Sequence, residues 1–161
     1  MNILGLDLGT HTGYAYNKNE QFFCGTWELA TKKEITAWGH DRQRRTKDPR
    51  IERLCENLTA LGAFDIVAIE DVEFASSTYQ VQLWSSLRGA VWLCALGSHF
   101  DCIPVGTLKK FATGNGAATK EAMAKALWKT QPMPGSENLD DNGVDAVWIW
   151  LWANNRLGRM K

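Results

Sequence analysis

Little in this sequence is unusual, and what it lacks narrows the choices first. Its four cysteines, Cys24, Cys55, Cys94 and Cys102, are far apart and form no Cys-x-x-Cys pair. That excludes a zinc-ribbon spacing and argues against a disulfide framework, so reduced packing residues are expected. Only 4 prolines stand against 14 glycines, with 45% hydrophobic and 22% charged residues, which excludes disordered and fibrous classes. There is no apolar run long enough to span a bilayer and no basic stretch followed by a short apolar core at the start. No membrane association and a cytoplasmic location are therefore expected. There is no net charge either, so a nucleic-acid partner would have to be met by a local basic patch. The 161 residues make one domain, 1–161, large enough for a real core and too short for two nucleotide-clamping lobes.

What is present begins with Ile3-Leu4-Gly5-Leu6-Asp7-Leu8-Gly9-Thr10-His11-Thr12-Gly13-Tyr14-Ala15. This apolar run reads as a buried strand with a carboxylate, Asp7, at its end and a Gly/Thr turn directly after it. An ionised carboxylate among apolar neighbours costs several kcal/mol unless a cation or hydrogen-bond donors meet it, so a mere turn-starting Asp competes with a metal ligand. Two large groups share such a turn: actin-like ATPases, which wrap phosphate with it, and RNase H-like nucleases, whose strand carries a metal-binding Asp.

Segments 13–17 and 21–29 extend the opening strand into a three-stranded meander. Residues 31–47 have no clean apolar period and hold Lys32, Lys33, Arg42, Arg44, Arg45 and Lys47. They read as a solvated loop or a DNA-facing segment. Asp48-Pro49 starts a helix whose buried face is Ile51, Leu54, Cys55, Leu58 and Leu61, ended by Gly62. Asp65 to Glu70 is a second buried strand ending in a carboxylate. A long helix runs from Ser76 or Ser77 to Gly97, its apolar surface wider than one stripe, and a short strand follows at 100–105. Lys109 and Lys110 precede the tight Gly114-Asn115-Gly116 loop, and Thr119 caps a further helix with Lys120 in its first turn. A cation there opposes the helix dipole unless a phosphate binds it. In 140–152, Trp148, Trp150 and Trp152 alternate as in a strand, while Val144, Val147, Trp148, Leu151 and Trp152 fit a helical stripe. The helix is preferred, because it allows Asp140 or Asp141 to cap and sets Asp141 or Asn142 one turn before Asp145.

Three acidic points thus stand out: Asp7 and Glu70 at strand ends, and Asp145 with Asp141 on the first turns of the last helix. Converging, they would repel by about 1–4 kcal/mol per pair at intermediate dielectric. Oxygen-only donors of this kind suit Mg²⁺ or Mn²⁺, two of which can stabilise the attacking and leaving oxygens of phosphodiester hydrolysis.

Taken in order, these residues resemble the RuvC-type Holliday junction resolvases of the RNase H-like (retroviral integrase) superfamily, including its phage-borne branch. Residues 3–15 match the first catalytic strand and turn, and 67–70 the second. Arg88-Gly89 matches the family's helix, 109–120 its Lys, Gly-x-Gly, Lys segment, and Asp145-Ala146 its final Asp-Ala. The resemblance implies an α/β, RNase H-like fold with a mixed five-stranded sheet and helices on both faces. It implies metal-dependent cleavage of four-way or other branched DNA by a homodimer built on the long helix, with Asp7, Glu70 and Asp145 as ligands. Lys109 and Lys120 would contact DNA or the scissile phosphate, with Lys110, Arg42, Arg44 and Arg45 as further DNA contacts. Two positions depart from the pattern. Asn142 stands where the family's penultimate acid is usual, which leaves Asp141 as the favoured fourth acid and Asn142 as a neutral ligand. Glu73 stands where an aromatic wedge is usual, which leaves Phe74 for base unstacking. Alternatives are a nuclease of the same fold acting on RNA or non-junction DNA, an actin-like ATP-binding module, and a catalytically silent branched-DNA binder.

Overall fold

The computed structural model describes residues 1–40, 47–72, 77–130 and 135–158. Five strands form one sheet: β1 (Ile3–Asp7), β2 (His11–Lys18), β3 (Gln21–Glu28), β4 (Ile66–Asp71) and β5 (His99–Pro104), in the order β3-β2-β1-β4-β5. The meander β1-β2-β3 is antiparallel, whereas β4 and β5 add parallel to β1. This is the mixed sheet expected from a hairpin opening followed by helix-strand alternation. Six helices are described: α1 (Lys32–His40), α2 (Pro49–Leu61), α3 (Thr78–Cys94), α4 (Val105–Thr113), α5 (Lys120–Thr130) and α6 (Asp141–Gly158).

Strand alternation sorts the core into two layers. Leu4, Leu6, Val67 and Ile69 pack with Leu54 and Leu58 of α2 and Leu87, Ala90 and Val91 of α3. Ile3, Ala15, Ile66, Ala68 and Ile103 pack with Leu108 of α4, Met123 and Leu127 of α5, and the apolar side of α6. Each fully buried Leu or Ile contributes about 1.5–3 kcal/mol. Because Asp7 is in phase with Ile3, and Glu70 with Ile66 and Ala68, both carboxylates belong to the α6 face of the sheet.

Two helices were not legible. The 31–47 segment, read as loop, contains α1, started by a reciprocal cap in which the Thr31 N–H donates to Glu34 (2.7 Å) and the Glu34 N–H to Thr31 Oγ1 (3.3 Å). Its basic neighbours are partly committed inward: Arg53 donates to Glu34 (2.9 Å) and to the Leu29 carbonyl (2.7 Å). Arg50 is buried, held by Asp48 and Tyr79 at 2.6 Å each and lying over the Trp38 ring. Helix α4 was missed because it follows β5 without a break and buries only Leu108 completely; Gly114, at φ 81°, ends it in the left-handed conformation that favours glycine. Helix α3 starts at its expected cap, Ser77, whose Oγ accepts the Gln80 N–H.

The breadth of α3 also resolves. Leu87 and Val91 are fully buried, and Leu83 packs against the same cluster, so these three belong to the monomer core. The large apolar residues it leaves outside are Val81 (51% exposed), Trp92 (48%) and Leu93 (73%), and the first and second of these share one stripe.

Candidate active site

The parallel pairing of β1 and β4 sets Leu6 beside Ile69, so Asp7 and Glu70 come next in register at the same end of neighbouring strands. Helix α6 crosses this face, packing on β1, β2, β3 and β4. Its close approach depends on two glycines. A Cβ at Gly5 would lie 2.7 Å from the Trp150 amide nitrogen and 2.8 Å from the Ala146 carbonyl oxygen, and one at Gly13 would overlap the Asn142 carbonyl. Both glycines sit inside strands without a left-handed φ, so what they supply is room for the α6 backbone. Sequence reasoning treated them only as parts of the opening motif. An unexplained glycine inside an apolar strand was the available signal.

The start of α6 is pinned by Asp140, which accepts the Gly143 N–H (2.9 Å) and the Thr26 hydroxyl. Burial works against its ionisation, but these bonds and one from the Asn142 side chain hold it below the usual carboxylate range. From that start, Asp145 is carried toward the strand ends one turn later.

Electrostatics shows that the three acids face one another. Asp7 is pushed well above the ordinary carboxylate range, first by burial and then by Glu70 and Asp145, with Lys120 opposing. Glu70 is raised to about 7 by burial and Asp145, against Lys109 and Lys120. Asp145 is raised to about 6 by burial, with Lys120 opposing, Asp141 adding and Lys109 opposing. Lys109 and Lys120 are thus the cations that look onto the cluster. Lys110, next on α4, is exposed and shows no such influence on the acids. Among the described residues, no three His, Cys, Asp or Glu side chains are gathered closely enough to hold an ion as they stand. The donor set nevertheless fits a hard divalent cation: oxygen only, half-buried, mutually repelling, on rigid elements.

The other expected residues fall as follows. Asp141 is the first residue of α6, its carboxylate 3.5 Å from Lys120 Nζ. The side chain of Asn142 bonds Asp140, and its backbone carbonyl lies against Gly13. Arg42, Arg44, Arg45 and Phe74 lie outside the described residues. One contact was not foreseen. Arg88 donates to Asp71 (2.7 Å), the residue after Glu70 and on the opposite face of β4, which ties α3 to the strand that ends in the candidate site. Glu70 and Arg88 both border a cleft of about 400 Å³ with Leu8, Trp84, Val81 and Trp92.

Against known proteins, the chain is 34% identical over 133 residues to the crossover junction endodeoxyribonuclease RuvC of Campylobacter jejuni subsp. jejuni serotype O:6, covering 77% of each. It is 35% identical over 130 residues to the RuvC of Campylobacter concisus, covering 77% of this chain and 78% of that one. The chain belongs to the RuvC family. No protein-family model matches it, but solved structures carry the same fold. Thermus thermophilus RuvC in complex with a Holliday junction substrate superposes with TM-score 0.71 at 19% identity, over 98% of this chain and 96% of that one. The yeast mitochondrial Holliday junction resolvase Ydc2 gives 0.58 at 14%, over 98% and 80%. The five-stranded RNase H-like architecture expected of the family is the one observed.

Proposed function

We propose that this chain is a divalent-metal-dependent endonuclease that cuts four-way and related branched DNA, acting as a homodimer. The observation that carries this reading is the convergence of Asp7, Glu70 and Asp145 on one end of the sheet in a RuvC-family chain, where Glu70 and Asp145 both raise the proton affinity of Asp7 and Asp145 raises that of Glu70. Such a group is costly without a cation and well suited to one.

The assigned ligands are Asp7, Glu70 and Asp145, and the fitting ions are Mg²⁺ or Mn²⁺, two per site. Bound there, they would supply charge neutralisation for the attacking and leaving oxygens of the phosphodiester. The protein's own contribution is to hold three carboxylates together on two strand ends and one helix that Gly5 and Gly13 allow against the sheet, and a cation there would favour their ionised form. Lys120, more than half exposed at the start of α5, and Lys109 on α4 provide ammonium groups for phosphates on the same face. Arg42, Arg44, Arg45, Lys110 and Phe74 remain proposed DNA contacts on charge and sequence position. Homodimerisation is assigned to the outward stripe of α3, where Val81 and Trp92 flank Ser85 and Arg88 at helical spacing. A second copy suits a substrate with approximate twofold symmetry, since two sites related by a twofold axis can nick opposing strands.

The test is a nuclease assay in Mg²⁺ on matched four-way, forked and linear DNA, with an RNA–DNA hybrid alongside. Paired nicks on the four-way substrate, lost on chelation, are the expected result. Preference for the hybrid would move the chain to the RNA-cleaving reading, and binding without cleavage to that of a silent binder.

A further inference from the structure

We infer that Asp141 is a positioning residue for Lys120 and that the metal site of this chain is completed by three carboxylates. The inference rests on the metal reading above and concerns the two positions where this chain departs from its family. Asp141 opens α6 with its side chain 58% exposed, and its carboxylate lies 3.5 Å from the Lys120 ammonium. Asn142, where the family's acid is usual, is turned away in both its parts. Its side chain donates to Asp140, whose carboxylate is also held by the Gly143 N–H and Thr26, and its carbonyl lies against Gly13. Shifting the side chain toward Asp145 would give up its bond to Asp140.

Lys120, by contrast, opens α5 and reaches across to the first residue of α6, the helix that carries Asp145. Its side chain is long, 57% exposed, and attached at the first residue of α5, where the helix dipole does not favour it. A side chain so placed has many rotamers to lose before it can meet a phosphate in one position. Asp141 offers the fixed anion that limits them, and it stands on the same helix as Asp145. Asp141 stands one residue before Asn142, about 100° around the helix axis, and there it faces the cation.

The experiment uses Asp141→Asn, Asp141→Glu, Asn142→Asp, Asp145→Asn and Lys120→Ala in the full chain. Mn²⁺ affinity is measured by calorimetry without DNA, and single-turnover cleavage of a four-way junction is measured in Mg²⁺. Asp141→Asn should keep Mn²⁺ affinity within about fivefold of wild type, the scale of a screened surface charge. Asp145→Asn should lose about a hundredfold or more, because affinity at carboxylate sites follows the charge of the ligand set. Asn142→Asp should tighten Mn²⁺ binding. In cleavage, Asp141→Asn should slow the reaction, add no further loss on top of Lys120→Ala, and be largely rescued by Asp141→Glu. Loss of Mn²⁺ affinity in Asp141→Asn to match Asp145→Asn would make Asp141 a ligand and overturn the assignment, as would independent, multiplying losses for Asp141→Asn and Lys120→Ala. A wild type that binds no Mn²⁺ would instead remove the metal reading itself, and this inference with it.

Discussion

At the scale of residues, the three acids have to behave as one unit, because each is unfavourable alone and shares the same field. Asp7→Asn, Glu70→Gln and Asp145→Asn should each reduce cleavage by at least about a hundredfold, beyond the roughly 10–100-fold that loss of a ligand's outer partners costs. Junction binding, measured by fluorescence anisotropy in Ca²⁺ or EDTA, should persist. Near-normal cleavage by any one of them would remove that residue from the site. The same carboxylates make stability depend on pH. Glu70 and Asp145 bind protons up to about 7 and about 6 in the folded protein, against roughly 4 in an unfolded chain. The folded state therefore holds more protons in that window. The contribution of these groups is fully present below about pH 4 and is lost as pH rises through their folded values. In the metal-free protein, the melting temperature should drift down from these groups between about pH 4 and 7. Added Mg²⁺ should raise it more at pH 8 than at pH 5, since only ionised carboxylates bind the ion. An equal Mg²⁺ effect at both pH values would contradict the assignment of the cluster.

At the scale of elements, the site exists because α6 can lie directly on β1 and β2, and that contact is the most breakable part of the design. Gly13→Ala would push a methyl group into the Asn142 carbonyl, a backbone atom that cannot rotate away. It should cost about 3 kcal/mol or more by denaturant titration, and any folded fraction should bind Mn²⁺ weakly because Asp145 moves with α6. Gly89→Ala in α3 meets open space and should instead stabilise by about 0.5–1 kcal/mol. An unaffected Gly13→Ala protein would mean that α6 does not seat as described. Elements were legible where burial wrote a period into the sequence: the runs Ile3–Asp7 and Ile66–Asp71, the stripe of α2 between Asp48 and Gly62, and α3 after Ser77. Helices α1 and α4 were not, because each has only 9 residues and too few buried positions to show a stripe. Thr31 and Glu34 did carry a cap signature, which went unread among the surrounding charges. The helix preferred for α6 is the one that forms, and the Trp alternation that imitates a strand there has a physical reason. The helix lies between the sheet and α4–α5, so it is apolar over most of its circumference. As for the site, its acids were legible as charges that end apolar runs. The handing of Asp141 to Lys120 was not, since it depends on how α5 and α6 meet in space.

At the scale of the molecule, zero net charge has to be reconciled with the proposed DNA substrate, and the proposed homodimer would supply two sites for one junction. Lys109 and Lys120 sit on the face that carries the acids, so binding should weaken with salt at a slope of about −0.9 in log K per log salt for each phosphate met on duplex arms. Lys120→Ala should flatten that slope by about 1; an unchanged slope would leave Lys120 without a phosphate. The dimer prediction follows from which face of α3 the monomer uses. Leu83, Leu87 and Val91 are spent on the core against α2 and the sheet, so a charge at Leu83 should unfold the domain and say nothing about assembly. Val81, Trp92 and Leu93 are the large apolar residues of α3 left exposed, and Val81 and Trp92, about half exposed and three turns apart, border with Arg88 the cleft that reaches Glu70. If a second copy covers them, Val81→Glu meets its own symmetry mate across the twofold axis and should give a folded monomer by sedimentation velocity, with a far-ultraviolet spectrum like wild type. That monomer should still bind Mn²⁺, because Asp7, Glu70 and Asp145 come from a single chain. It should nick one strand of a junction without the coordinated second cut, so nicked product should accumulate on a supercoiled cruciform where wild type gives linear product. A wild type that sediments as a monomer at concentrations well above those that support paired cutting would sink the dimer, and a Val81→Glu protein that remains dimeric would move the interface off α3.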